Sequence, residues 1–169
     1  SIANIVDDAI LEANETIIIT LSNPTNATLG TNTIHTYTIT NNDSSAVTIA
    51  DITITEGQNA VVTLTLDKNV GDAFSVGVNT MVGVGTSIAG LDYTSNSTSI
   101  NFSGLAGETK TFTVNTIDDI IIETDEAFLV EMSGLSNTSL PVNITDRAIV
   151  TIKDNDFATI TIADVTGKE

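Results

Sequence analysis

The sequence predicts an all-β protein: sandwiches of antiparallel strands, repeated in tandem. Three observations predict it. Thr, Val, Ile and Asn dominate, and apolar and polar residues alternate with no sustained helical period. Turn residues cut the chain into short, strand-length runs. The chain also repeats itself. The run Ile5-Val6-Asp7-Asp8-Ala9-Ile10-Leu11-Glu12-Ala13-Asn14-Glu15-Thr16 returns 111 positions later, with Asp118 for Asp7, Asp119 for Asp8, Glu123 for Glu12 and Glu126 for Glu15. Tyr37–Asp43 returns as Val150–Asp156, and Val47–Asp51 as Ile160–Asp164, both 113 positions on.

A period of this length is one ordinary domain. Residues 1–43 are then the back part of one copy, 44–156 a complete copy, and 157–169 the first strand of a third. In the first piece, strands are expected at about Thr16–Leu21 and Ile34–Thr40, with a turn at Asn23-Pro24. The complete copy offers seven candidates: Val47–Thr55, Ala60–Leu66, Phe74–Thr80, Thr98–Phe102, Lys110–Ile117, Ala127–Ser133 and Arg147–Lys153. Ala60, Val62, Leu64 and Leu66 share one face of the second; Phe112 with Val114, and Phe128 with Val130 and Met132, do the same later. Seven such strands make an immunoglobulin-like, seven-stranded antiparallel β-sandwich. Met81–Leu91, with three glycines, reads as a mobile loop. The two end pieces leave Ile17, Ile19 and Leu21, and Ile160 and Ile162, on open sheet edges that need covering.

Charge narrows the function. Five Lys plus Arg stand against 22 Asp plus Glu, a net charge of −17. Binding to nucleic acid needs basic residues on phosphate, so this balance argues against it. It also disfavours anionic membrane surfaces, and no apolar run approaches the length of a membrane-inserted span. With no Cys, disulfides and thiolate metal sites are excluded. One His, no Trp and two Tyr leave neither a Ser-His-Asp set nor aromatic platforms for a glycan, so the chain does not read as an enzyme.

The acids gather where strands end. In the complete copy they fall in Thr55-Glu56-Gly57, Leu91-Asp92-Tyr93, Asp118-Asp119 with Glu123 and Glu126, and Asp154-Asn155-Asp156. Between Asp118 and Glu131 there are six carboxylates and no Lys or Arg, interleaved with apolar residues. Such charge beside a core is costly without a cation. Oxygen donors without imidazole or thiolate suit a hard cation, above all Ca2+. The alternative is that these carboxylates accept backbone N–H groups at strand entries and serve structure alone. Asp51 and Asp164 repeat as well, and read as solvated residues within a strand.

Taken together, Thr55-Glu56-Gly57, Leu91-Asp92-Tyr93-Thr94, Ile117-Asp118-Asp119 with Glu123–Phe128, and Val150–Asp156 resemble the Calx-beta domain, over the complete copy and both partial ones. The resemblance implies a calcium-binding sandwich whose ligands lie at the end facing the next module. Carried over, these are Glu56, Asp92, Asp118, Asp119, Glu123, Glu126, Asp154 and Asp156, and in the first piece Asp7, Asp8, Glu12 and Asp43. Two departures point to fewer or looser ions. Ile120 stands where the strongest calcium binders of the family carry a third consecutive Asp, and Asn155 replaces an acid. The expected role is a stalk segment of a secreted or cell-surface bacterial adhesin-like protein. Its partners would be neighbouring repeats of the same chain, together with a cell-surface or protein ligand of the parent protein. The alternative is a calcium-sensing regulatory module of a membrane or signalling protein.

Overall fold

The computed structural model describes residues 4–169. Among these, no helix forms, and ten strands do: β1 Glu15–Thr20, β2 Ile34–Ile39, β3 Val47–Ile49, β4 Ile52–Thr55, β5 Asn59–Leu66, β6 Phe74–Gly85, β7 Ser97–Phe102, β8 Thr109–Asn115, β9 Glu126–Ser136 and β10 Arg147–Lys153. Strands β3-β5-β8 form one sheet of the complete copy and β4-β10-β9-β6-β7 the other. Their inward faces share one core. Val62, Leu64, Phe112 and Val114 come from the first sheet, and Val76, Val78, Phe128, Val130 and Val150 from the second; all are buried. The alternation in the sequence thus becomes an inside and an outside.

The first strand departs from the expected single run. It breaks after Ile49: β3 pairs antiparallel with β5, whereas β4 crosses to the other sheet and pairs parallel with β10. Asp51 sits at this crossing. Its Oδ1 accepts the Ile149 N–H at 2.7 Å, so it ties the switch to β10 instead of decorating a strand. The expected loop from Met81 also differs. Strand β6 continues to Gly85, pairing with β9 across a register shift between Met81 and Gly85. Gly85 has φ 95°, and a Cβ there would lie 2.0 Å from the Ala127 carbonyl oxygen, so the strand can close on β9 only with glycine.

In the first piece, β1 and β2 form a hairpin in the register of β9 and β10. Glu15 opposes Ile39 as Glu126 opposes Ile152, and Thr20 opposes Ile34 as Glu131 opposes Arg147. The segment before this hairpin docks on the complete copy. Leu11 is 1% exposed; its N–H donates to the Asn69 carbonyl at 3.0 Å, and its carbonyl accepts the Gly71 N–H at 2.9 Å. Residues 157–169 form no strand, and Ile160 and Ile162 are exposed. A lone strand has no ladder partner, so propensity by itself does not fold it.

Candidate metal centre

Sheet topology brings the acids together. Strands β4 and β10 run parallel, so their tails, at Glu56 and at Asp154–Asp156, leave the same end. Antiparallel pairing puts the start of β9 there too, with the end of β6. The end of β8 lies beside the start of β5, which follows the Glu56 turn. The β6–β7 and β8–β9 connections, carrying Asp92 and Asp118–Glu126, therefore reach the same end.

Gly57 makes the first turn possible. Its φ is 75°, and a Cβ on it would stand 2.8 Å from the Asp118 Cβ. Glu56 is buried, and its Oε1 accepts the Asn155 N–H at 3.1 Å. Asp119 shapes the β8–β9 loop by accepting the Ile121 N–H at 2.7 Å. Asp92 accepts the Ile88 N–H, and the Asp92 carbonyl accepts the Ile117 N–H at 2.9 Å, which links the two acidic loops. Beneath them Tyr93 and Phe128, both fully buried, stack with centroids 4.2 Å apart. This apolar floor keeps water from one side of the carboxylates.

Six of the eight expected acids form two groups. Glu56, Asp119 and Asp156 each offer an oxygen within 4.8 Å of the others, and so do Asp92, Glu123 and Glu126. Between the groups lies a cavity of about 10 Å³, lined by Glu56, Asp92, Asp119, Glu123, Glu126 and Asp154. That is room for one water-sized particle. The remaining two acids stand beside them. Asp118 Oδ1 accepts the Asn155 side-chain amide at 3.2 Å. Asp154 Oδ1 is buried without a hydrogen-bond partner, as is Asp156 Oδ2.

The electrostatics are those of crowded anions. Burial, then a hydrogen bond and charge from Asp92, push Glu126 up to about 7. Glu123 is raised by burial and by Asp119 and Asp92, and Asp156 by burial and by Asp154 and Asp118. For Glu56 the Asn155 N–H acts downward, but burial and the charges of Asp156, Asp154 and Asp118 outweigh it and the net shift is upward. Among the described residues no ion pair relieves this end: Lys153, the last residue of β10, bridges none of the acids, and the ion pair found is Lys110 with Glu108, at 2.8 Å. Orphaned buried oxygens, raised carboxyls and an ion-sized gap fit a hard divalent cation with oxygen ligands.

The first piece repeats the loop but not the groups. Asp8 accepts the Ile10 N–H at 2.9 Å as Asp119 does that of Ile121, and Asn42 donates to Asp7 at 3.2 Å as Asn155 does to Asp118. Asp7, Asp8, Glu12 and Asp43 line a wider hollow of about 560 Å³, and no three of them converge as the two groups above do. Sequence reasoning missed Asn155 as a double donor, to Glu56 and to Asp118. Its place in the Asp154-Asn155-Asp156 triplet marked it as a lost charge and a weaker oxygen ligand, not as a donor.

A two-sheet sandwich with acidic loops gathered at one end is a recognisable class of domain. The Calx-beta domain family matches residues 3–53 and again 38–156, and the chain belongs to that family. No curated protein is similar enough to match. Among solved structures, the apo-form Calx CBD1 domain is 20% identical with a TM-score of 0.57, over 68% of this chain and 100% of that one. CBD12 from CALX1.2 is 21% identical with a TM-score of 0.56, and the calcium binding domain CBD12 of CALX1.1 is 23% identical with a TM-score of 0.53. They align over 66% and 65% of this chain, which spans 45% and 44% of their lengths. At these identities the likeness shows the fold.

Proposed function

We propose that the chain is a non-catalytic, calcium-binding stalk segment of a large secreted or cell-surface bacterial adhesin-like protein, stiffened by calcium near domain junctions. The observation that carries the calcium reading is the pair of three-carboxylate groups flanking an ion-sized gap, with Asp154 and Asp156 each holding a buried oxygen that no described residue satisfies. Glu56, Asp119 and Asp156 would hold one ion, and Asp92, Glu123 and Glu126 a second, with Asp118 and Asp154 beside them. The ion supplies the positive charge that this end of the sandwich lacks. The stalk reading draws on the repetition, the high negative charge and the Thr- and Asn-rich surface. Calorimetric titration with calcium, on protein first stripped with chelator, tests the site. Binding with micromolar or weaker dissociation constants is expected, and no heat up to millimolar calcium sinks the reading.

A calcium-sensing regulatory module is the second reading, favoured by the likeness to a solved tandem described as a calcium binding domain. Small-angle scattering separates the two. A stalk stiffens while keeping its length, whereas a sensor changes the angle between its modules.

A further inference from the structure

Leu11 is the most buried of the described residues of the first piece, and it is buried in another copy's core. It sits at the end of the complete copy opposite the acids. There the β5–β6 turn, Asn69-Val70-Gly71, receives it as a short parallel bridge. Val70 is buried beneath it, and the Val70 N–H is held by the Gly104 carbonyl at 2.9 Å. The chain passes close over Gly71: a Cβ there would be in ordinary contact with the Glu12 Cγ at 3.4 Å and the Leu11 carbonyl oxygen at 3.5 Å. The β1-side loop of one copy is thus a peg, and the Asn69–Gly71 turn of the next is its socket.

The complete copy carries the same peg with nothing on it. The repeat aligns Ile122 with Leu11. Two hydrogen bonds of the Leu11 loop recur around it: the Ile121 N–H donates to Asp119 as the Ile10 N–H does to Asp8, and the Asn155 amide donates to Asp118 as that of Asn42 does to Asp7. Yet Ile122 is 54% exposed where Leu11 is 1%, and its neighbours Ile120 and Ile121 are exposed too. No backbone hydrogen bond engages Ile122 among the described residues. Three consecutive exposed isoleucines on an acidic loop are an apolar patch without a structural use in this copy.

We propose that Ile122 is a docking peg whose occupant is the Asn69–Gly71 turn of another copy of this repeat, in a head-to-tail contact equivalent to that of Leu11. Such a contact is heterologous and propagates along an array. It couples the acidic end of each copy to the opposite end of the next, since the peg lies between Asp119 and Glu123. It shares only the tandem repeat with the function proposed above and does not require calcium.

The test is amide hydrogen exchange on the chain lengthened by a second copy of residues 57–156 after Glu169, so that 157–169 can serve as the first strand of a full repeat. Leu11 in the same sample is the internal standard, and chelator keeps the outcome separate from that of the metal site. In the chain as it stands, the Leu11 amide, bonded to the Asn69 carbonyl, is expected to exchange slowly and the unbonded Ile122 amide quickly. In the lengthened chain, Ile122 is expected to slow at least tenfold, toward Leu11. Ile122→Asp is expected to abolish this and to loosen the junction in small-angle scattering, and Ile120→Asp to do neither. If Ile122 stays fast while the added repeat is folded, the proposal is overturned. Should that repeat not fold, the Leu11→Asp chain, whose own socket is vacated, is titrated into isotope-labelled wild-type chain. Resonance shifts centred on Ile121 and Ile122 support the proposal, and none at millimolar concentration overturns it.

Discussion

The two acidic loops, Asp7–Glu15 and Asp118–Glu126, share the order of their four repeated acids and the turn hydrogen bond to the second Asp, yet only the second gathers its carboxylates. The difference lies outside the loops. The second is completed by Glu56 from the end of β4 and Asp92 from the β6–β7 connection, which the first piece does not supply. Where Asp154 follows β10, Asn41 follows β2, and Asn41 spends its side chain on the loop itself. Its Oδ1 accepts the Glu12 N–H at 3.4 Å and its Nδ2 donates to the Asp43 carbonyl at 3.1 Å. The comparison separates two jobs of one motif. The Asp at the second position builds a turn wherever the motif occurs, whereas a cation site needs the closed sandwich.

Breaking the better half should have the largest effect. At a hundredfold excess over its dissociation constant, calcium should stabilise the complete copy by about 2.7 kcal/mol, visible in calorimetry as a melting point raised by roughly 10 °C. Magnesium should raise it much less, because it tolerates crowded carboxylates poorly. Identical melting curves in calcium and in chelator would leave the two loops equal, both structural.

Next in size, Asp119→Asn should weaken calcium binding tenfold or more, about 1.4 kcal/mol, while Asp8→Asn should leave it unchanged. Titration calorimetry on the pair measures the contrast directly. Equal losses would mean that the first loop also contributes ligands. Gly57→Ala should cost on the order of 1–2 kcal/mol in denaturant unfolding, since it forces a side chain into positive φ and against Asp118.

The comparison also has a pH signature. Glu126 is raised to about 7 by burial and Asp92. Between its ordinary value and 7 the folded state holds a proton that the unfolded state has released, so in chelator the melting temperature should fall as pH rises from about 4.5 to about 7. Calcium binds the ionised form and should flatten or reverse that slope. A melting temperature that climbs with pH in chelator would remove the crowding from the account. The smallest effect belongs to Asp51→Asn, within about 0.5 kcal/mol and with calcium binding intact, because the amide oxygen can still accept the Ile149 N–H.

Most strands of the complete copy, the repeat and its spacing, and the positions of its eight strand-end acids could be read from the chain alone. Strand identity follows from alternation, which is local, and the repeat needs only self-comparison. The two strands of the first piece were legible as well, but their pairing with each other as β1–β2 was not. What tertiary structure decided is everything that depends on distant partners. The break of the first strand at Asp51 is set by β10, nearly a hundred residues away, and the extension of β6 to Gly85 by β9. Residues 157–169 carry a strand's sequence and form none, for want of a neighbour. Which six acids converge is fixed by pairings between distant strands: β4 with β10 brings Glu56 to Asp156, and β9 with β6 and β10 brings Glu126 to the loops of Asp92 and Glu123. And the exposure of Ile122 beside the burial of Leu11, at equivalent positions, is decided by whether another copy's turn is there to receive the side chain.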